Sequence, residues 1–320
     1  MQAYQVLENF KNLNYVDIKI LFLLLFLGTL GFLIHQIDYG LDVLFVAFIL
    51  GISTGYFMQG ETKNRVNRVL KFLLPISIAL YGFNISVPML SPRLSDVVAT
   101  LAIFSTIFLS VYFFSMKLGN GKKLSILLSC GSGICGVSAI AIVSSIIKPS
   151  KGEFSSAIIA ITVAGLICAI LYPPFAKYLF PDKFYLLAGS SLPQTALVKI
   201  ATSVFGENDV TKALSVKAIR IAMIAVVAFI ISFLYSEKGF YIPWFIVAFL
   251  MTAFLSSNFS SPEVVRTFST ILFASTLAGI GVTVDLKEIY SLGLKPLIAV
   301  FLGTAVAIAV FLIFLAGGLI

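Results

Sequence analysis

Residues 124–141 read Leu-Ser-Ile-Leu-Leu-Ser-Cys-Gly-Ser-Gly-Ile-Cys-Gly-Val-Ser-Ala-Ile-Ala, an apolar stretch with glycines and hydroxyl side chains at its middle. Each glycine in a helix interior costs about 1 kcal/mol relative to alanine, so Gly131, Gly133 and Gly136 weaken one place in the helix. In a membrane the backbone can unwind there only where it lines a cavity. The pattern favours a transmembrane helix that is broken to form a site, with close helix packing through small residues as the alternative.

A second stretch of this kind lies near the other end of the chain. Residues 274–285 read Ala-Ser-Thr-Leu-Ala-Gly-Ile-Gly-Val-Thr-Val-Asp, with Gly279 and Gly281 between Thr276 and Thr283. The same argument predicts a second interruption at these two glycines.

The composition around these stretches is that of a membrane protein. Of 320 residues, 59% are hydrophobic and 11% charged, against about 25% charged in soluble domains. A spanning helix needs about 20 mostly apolar residues. Eleven segments fit, which predicts an all-α integral membrane protein: 18–37, 41–59, 70–90, 95–116, 124–147, 154–179, 184–205, 213–235, 240–258, 264–290 and 295–319.

The distribution of basic residues predicts the orientation. With eleven spans, whose ends are good to a few residues, the loops and adjoining span ends on the side of the N-terminus hold 14 Lys and Arg residues and those on the opposite side hold 5. Positive loops stay in the cytoplasm, so we expect a cell inner or plasma membrane protein with a cytoplasmic N-terminus and an external C-terminus. Segment 184–205 contains Pro193, Gln194 and Lys199 and is the least regular span.

The two glycine-rich segments occupy matching places in two groups of five. Residues 1–40 hold an N-terminal segment and the first helix, residues 41–182 the first group and residues 183–320 the second. Five spans per group place the second group upside down in the membrane. Interrupted helices at matching positions of inverted repeats indicate a transporter site.

Two basic residues lie inside a span. Lys217 and Arg220 are three residues apart and so share one helix face. From a helix start near Thr211, Arg220 lies about 13 Å deep at 1.5 Å per residue, near the middle of a ~30 Å hydrocarbon core. Such a charge usually faces the bundle interior. It either contacts a substrate or donates to backbone carbonyls at a helix break.

Three further residues are candidate ligands for a coupling sodium ion or proton: Asp285, Thr283 and Asn84. Intramembrane acids often serve this purpose. An interfacial charge is the alternative for Asp285, and a hydrogen bond between helices is the alternative for Asn84.

Several other function classes are disfavoured. Gly131-x-Gly-x-x-Gly136 matches a dinucleotide fingerprint, but that motif needs a preceding strand, and here both flanks are apolar helix. Cys130, Cys135 and Cys168 show no zinc spacing, so we expect no metal and no cofactor. No catalytic triad or carboxylate pair indicates an enzyme. The net charge of +8 lies in short loops, which argues against nucleic-acid binding.

Several motifs resemble those of the YeiH family, whose members are described as sulfate exporters. The run from Cys130 to Val143 resembles the Cys-Gly-x-Ser-Ile-Cys-Gly-x-Ser-Ala-Ile-Ala motif of that family. Further matching pieces are Leu80-Tyr-Gly-Phe-Asn-Ile, Leu171-Tyr-Pro, Ala188-Gly-Ser-Ser-Leu, Val216-Lys-Ala-Ile-Arg220 and Leu277-Ala-Gly-Ile-Gly-Val-Thr-Val-Asp-Leu. The resemblance implies a relation to bile-acid-symporter and cation/proton-antiporter-like transporters, in which inverted five-helix repeats have broken, crossed fourth helices.

One departure from the family pattern concerns residues after Ser191. The family continues with a His-Asp pair and a Gln, as in Ser-Ile-His-Asp-Thr-Ala-Gln-Val. Here Pro193 and Gln194 stand at the His-Asp positions and Leu197 at the Gln position. This chain therefore does not use that pair for coupling or substrate contact, and the sulfate assignment does not transfer directly.

These observations favour a secondary transporter of a small anion that works by alternating access. The alternative is a sodium- or proton-coupled carrier of a non-anionic organic solute, and a membrane-embedded enzyme or sensor is a third class. The expected partners are the solute and the lipid bilayer, with a homodimer left open. The candidate substrate-binding residues are Ser129, Gly131, Ser132, Gly133, Gly136, Val137, Ser138, Ser191, Lys217, Arg220, Thr276, Gly279 and Gly281.

The predicted orientation can be tested with single cysteines. In a background without the three native cysteines, Glu61→Cys and Ile320→Cys should react with a membrane-impermeant maleimide from opposite sides, because nine spans, an odd number, separate them. Labelling of both from the same side would contradict the eleven-span topology and place segment 184–205 first in doubt.

Overall fold

The computed structural model describes residues 14–37, 42–58, 60–84, 93–235, 244–259, 261–284, 290 and 293–320. Within these ranges the chain is helical and forms no β-strand. The helices, numbered in chain order, are α1 (Tyr15–Ile37), α2 (Val43–Tyr56), α3 (Gly60–Tyr81), α4 (Leu94–Lys117), α5 (Lys122–Gly133), α6 (Val137–Ile147), α7 (Lys151–Leu179), α8 (Phe184–Ser191), α9 (Thr195–Ser203), α10 (Glu207–Tyr235), α11 (Trp244–Phe259), α12 (Glu263–Val282) and α13 (Lys295–Ala316). Short 3-10 turns follow α3 at Gly82–Asn84 and α7 at Pro181–Lys183.

The predicted class, an all-α integral membrane protein, is confirmed. In the described part of the chain, seven helices are long and apolar enough to cross a bilayer: α1, α3 with its 3-10 turn, α4, α7, α10, α12 and α13. Shorter apolar helices include α2, α6 and most of α11. The number of eleven spans stays a prediction.

The helices form two compact units, each built from two stretches of chain. Unit 1 comprises residues 1–86 and 232–286, and unit 2 comprises residues 87–231 and 287–320. The first unit contains α1–α3, α11 and α12, whereas the second contains α4–α9, α13 and most of α10. The predicted inverted repeat divides the chain once, into residues 41–182 and 183–320, and does not correspond to these two units. It stays a prediction.

Unit 1 is held together by close approach of small residues on α2 and α12. A Cβ on Gly51 would collide with the backbone of Ala278, and one on Gly55 with the backbone of Val282. Glycine at such positions lets two helices approach to backbone contact, which is a main source of helix association in membranes. A core of α1, α3 and α12 side chains, including Leu24, lies beside this contact.

The helix interruption expected near Gly279 and Gly281 stays a prediction: α12 continues through both glycines and ends at Val282, one residue beyond Gly281. Gly281 lies against the Phe48 carbonyl, and Gly279 lies against leucine side chains of α1 and α3. The missing Cβ atoms thus serve packing, and the helical hydrogen bonds stay intact. The second half-helix expected from about Val282 lies largely outside the described residues.

Unit 2 surrounds a helix that is interrupted as predicted. The α5 helix ends at Gly133 and α6 begins at Val137. Helix α4 is tied to α5 by a 2.8 Å hydrogen bond between the hydroxyls of Ser115 and Ser125. Segment 184–205, expected to be irregular, is also divided, into α8 and α9.

The α2–α12 contact predicts a large effect of a single methyl group. Gly51→Ala should lower the free energy of unfolding by about 1–3 kcal/mol, the usual cost of overpacking, because its Cβ meets the Ala278 backbone. Gly60→Ala is the matched control, since nothing lies within 4 Å of a Cβ there. Thermal unfolding in detergent measures both, and equal midpoints would contradict the packing role.

Candidate functional site

Two helix breaks of unit 2 lie side by side. The first consists of Ile134, Cys135 and Gly136 between α5 and α6, and the second of residues 192–194 between α8 and α9. A Cβ on Gly136 would lie 3.0 Å from Cγ of Gln194. We call these six residues the junction. Two helix C-termini and two helix N-termini meet there.

Local sequence explains both breaks. Gly136 has φ +69° and ψ −125°, a conformation that residues with a Cβ rarely adopt. Its N–H donates to the Gly131 carbonyl at 2.9 Å, which closes the end of α5. At the second break, Pro193 has no N–H and forces the preceding Leu192 into extended backbone, with φ −66° and ψ 132°.

The Lys217 ammonium lies between the two breaks and is 1% exposed. Its Nζ donates to the carbonyls of Ile134 at 2.8 Å, Leu192 at 2.8 Å and Pro193 at 2.6 Å. Three acceptors use all three hydrogens of a protonated amine. The geometry is therefore that of a charged lysine with no donor left over.

The Arg220 guanidinium, one helical turn further along α10, is fully buried. Its Nε donates to the Gly133 carbonyl at 2.7 Å and its Nη2 to the Ser132 carbonyl at 2.5 Å. Its Nη1 donates to the carbonyls of Gly189 at 3.1 Å and Leu192 at 2.8 Å. Four of the five N–H groups of the guanidinium are thus used on backbone.

These two side chains neutralise the negative ends of α5 and α8. Each helix terminus carries roughly half a unit charge, positive at the N-terminus and negative at the C-terminus, so the four termini of the junction cancel. Lys217 and Arg220 then leave an excess of about two positive charges. Among the described residues, neither cation is in an ion pair.

The N-termini of α6 and α9 have no side-chain caps. At the N-cap positions, Gly136 has no side chain and the Gln194 side chain accepts no hydrogen bond from α9. Gln194 instead donates to Thr162 Oγ1 at 3.0 Å. The first N–H groups of a helix are a ready binding place for an anion when no side chain caps them.

A small cavity of about 10 Å³ lies beside the junction, enough for about one water molecule. Ser132 Oγ and Tyr172 OH are buried and make no hydrogen bond of good geometry within the described residues, although the side chains of Cys168 and Ser191 lie near Tyr172 OH. Both residues line the cavity, together with Ala164, Gly165, Cys168, Ser191, Leu192, Pro193, Val300 and Thr304. The cavity therefore offers two hydroxyls that the protein itself does not pair with good geometry.

The structure brings most of the predicted site residues into unit 2. Ser129 and Ser191 donate to carbonyls one turn earlier in their own helices, those of Ser125 and Leu187. Ser138 donates to Cys135 at the break. The remaining members at or next to the junction are Gly131, Ser132, Gly133, Gly136, Val137, Lys217 and Arg220.

The other predicted residues belong to unit 1 and have partners there. Thr276 donates to Ser77 Oγ at 2.9 Å, and Thr283 donates to the Ile280 carbonyl. Asn84 donates to Ser269 and accepts from Thr270, the interhelical role expected as its alternative. Gly279 and Gly281 pack as described above, and Asp285 lies outside the described residues.

Three of the cavity residues that were not predicted from the sequence have polar side chains: Tyr172, Cys168 and Thr304. Tyr172 lies within the Leu171-Tyr-Pro piece that contributes to the family resemblance, which was the only available signal. Each of the three is a single polar residue in an apolar span, and its position relative to the junction depends on helix packing.

Comparison with known proteins identifies similar membrane proteins. A family model described as Conserved hypothetical protein 698 matches residues 19–300. A UPF0324 membrane protein of Archaeoglobus fulgidus is 48% identical over 309 residues, 94% of each chain. One from Bacillus cereus is 32% identical over 259 residues, 74% of this chain and 75% of the relative. The UPF0324 inner membrane protein YeiH of Salmonella typhi is 25% identical over 282 residues, 81% of each. No solved structure matches the chain.

The contacts of Lys217 predict that it stabilises the junction. Lys217→Met keeps the length of the side chain but removes three donors, so we expect the free energy of unfolding to fall by at least about 1–3 kcal/mol, the cost of one buried polar group left unpaired. Lys199→Met, on the exposed face of α9, is the control. Thermal unfolding in detergent measures the stability of both variants. Equal midpoints for Lys217→Met and Lys199→Met would contradict this role.

Proposed function

Because the chain belongs to the UPF0324 family of membrane proteins, we propose that it is a secondary transporter that carries a small anion by alternating access. The anion binds at the junction between the N-termini of α6 and α9. The protein lies in the cell membrane with its N-terminus on the cytoplasmic side, as the loop charges indicate.

The observation that carries this proposal is the excess positive charge of the junction. Lys217 and Arg220 are bonded to the C-terminal carbonyls of α5 and α8, so the positive ends of α6 and α9 remain unopposed. In a low-dielectric interior an anion placed there is attracted by about two unit charges. A neutral solute gains nothing from this field, and a cation is repelled.

The small cavity supports a carrier rather than an open pore. With room for about one water molecule, the space beside the junction admits a solute only after the surrounding helices move. In alternating access, helices must move around the site each time a solute crosses the membrane.

The alternative function, a sodium- or proton-coupled carrier of a non-anionic solute, has less support. A sodium site at broken helices uses carbonyls at the half-helix C-termini. Here the carbonyls of Gly133 and Leu192 already accept hydrogen bonds from Lys217 or Arg220. Coupling of anion transport to sodium or protons elsewhere in the chain remains compatible with the proposal.

Flux measurements on the purified protein in liposomes test the proposed function. We expect saturable uptake of at least one of sulfate, methanesulfonate and acetate, accelerated by the same anion preloaded inside, because a carrier exchanges faster than it returns empty. Glucose and choline should not be transported. Uptake of glucose or choline but no anion would contradict the anion assignment, and conversion of a solute without flux would favour an enzyme.

Two substitutions of Arg220 distinguish an effect of its charge on anion binding from a direct contact between its guanidinium and the substrate. Arg220→Lys keeps the charge and loses the planar fork, so we expect lower thermal stability and an unchanged preference for anions over neutral solutes. Arg220→Gln removes a unit charge that is worth more than ~1 kcal/mol at short range, so anion affinity should fall by about tenfold or more. Weaker anion binding by Arg220→Lys at unchanged stability would instead place the guanidinium in direct contact with the substrate.

A further inference from the structure

We propose that the hydroxyls of Ser132 and Tyr172 form a subsite that binds one oxygen atom of the transported anion. The subsite lies in the cavity beside the junction, on the wall made by α5 and α7. This inference rests on the proposed function and adds to it two recognition residues that act through hydrogen bonds rather than through charge.

The first argument is that neither of the two buried hydroxyls makes a well-formed hydrogen bond within the described part of the chain. Ser132 is 4% exposed and Tyr172 is 9% exposed. Neither hydroxyl has a partner of good hydrogen-bond geometry there, and the nearest polar groups to the Tyr172 hydroxyl are those of Cys168 and Ser191. A buried polar group left unpaired costs free energy, so nearly all such groups in proteins have a partner. Two of them at one small cavity indicate a ligand atom that serves both.

The second argument concerns what else lines the cavity. Ala164, Gly165 and Val300 offer no polar side chain. The hydrogen of the Ser191 hydroxyl is used on the Leu187 carbonyl at 2.6 Å. Cys168 offers only a weak donor, and Thr304 also lines the cavity. Ser132 and Tyr172 are thus two of the hydroxyls that can donate there, and an oxygen with free lone pairs can accept from both.

The third argument is the position of the cavity relative to the charge. The carbonyl of Ser132 accepts from Arg220, and Leu192 both lines the cavity and accepts from Lys217. A ligand oxygen in the cavity therefore lies next to the junction. A polyatomic anion can place one oxygen there and keep another near the N-termini of α6 and α9, whereas a monatomic halide can occupy only one of the two places.

The test compares sulfate with chloride on four single variants of the full-length protein. Ser132→Ala and Tyr172→Phe each remove one hydroxyl and little volume. Ser156→Ala is matched to the first, because the Ser156 hydroxyl is also buried and unpaired but does not line the cavity. Tyr178→Phe is matched to the second, because Tyr178 lies on α7 and is exposed.

Affinities are measured by competition of unlabelled sulfate or chloride against labelled sulfate uptake in liposomes. We expect each cavity variant to bind sulfate at least about tenfold more weakly, which corresponds to one lost hydrogen bond to a charged group, with chloride affinity unchanged. Both controls should behave as the unmodified protein. If Tyr172→Phe does not fold, Ser132→Ala decides alone.

Three results would overturn the subsite. Unchanged sulfate affinity in the folded cavity variants would mean that the two hydroxyls hold only a trapped water, with the proposed function intact. Equal losses for sulfate and chloride would mean that they shape the site without contacting an oxygen. If sulfate is not a substrate, the labelled anion is whichever of methanesulfonate and acetate the flux measurements identify. If the unmodified protein transports none of the three, the proposed function and the subsite fall together.

Discussion

Seven hydrogen bonds from two side chains of α10 hold the junction together. Lys217 and Arg220 donate to six backbone carbonyls, which belong to residues 132–134 and to Gly189, Leu192 and Pro193. In a membrane interior no bulk water is available to satisfy carbonyls released by a broken helix. The two cations take the place of that water, and their own desolvation is offset by the same bonds. The breaks are tolerated because the cations satisfy their free carbonyls, and the buried cations are tolerated because those carbonyls accept their hydrogen bonds.

This mutual dependence fixes the electrostatics of the site. Broken helices meeting at mid-membrane would by themselves present equal positive and negative ends. Attaching both cations to the negative ends leaves the positive ends of α6 and α9 unopposed. In the proposed transporter this charge selects the substrate by sign. The buried hydroxyls of Ser132 and Tyr172 would then add direction, because a hydroxyl donor discriminates by the position of an acceptor and not by total charge.

The sequence predicted the elements that depend on local chemistry. The clustered glycines indicated the break that ends at Val137, Pro193 marked an irregular segment, and spacing placed Lys217 and Arg220 together at depth. Glycine alone could not separate a broken helix from a tightly packed one: Gly279 and Gly281 pack against neighbouring helices within α12, which ends at Val282. Loop charges and spans also could not reveal that each compact unit is assembled from two distant stretches of chain. Loop charges and spans also could not indicate that Tyr172 lines the same cavity as Ser132, because the packing of the helices determines which side chains meet.

The distance in sequence between the breaks and their cations has a consequence for synthesis of the protein. Ile134 and Lys217 are 83 residues apart, and Ser132 and Arg220 are 88 apart. When the interrupted helix α5–α6 first leaves the ribosome, the side chains that satisfy its carbonyls have not yet been made. The first break must therefore stay hydrated, or be sheltered by the insertion machinery, until α10 enters the bilayer. Truncation before α10 would leave a membrane segment that cannot complete its own backbone hydrogen bonds, and such a fragment is a natural target for membrane quality-control proteases.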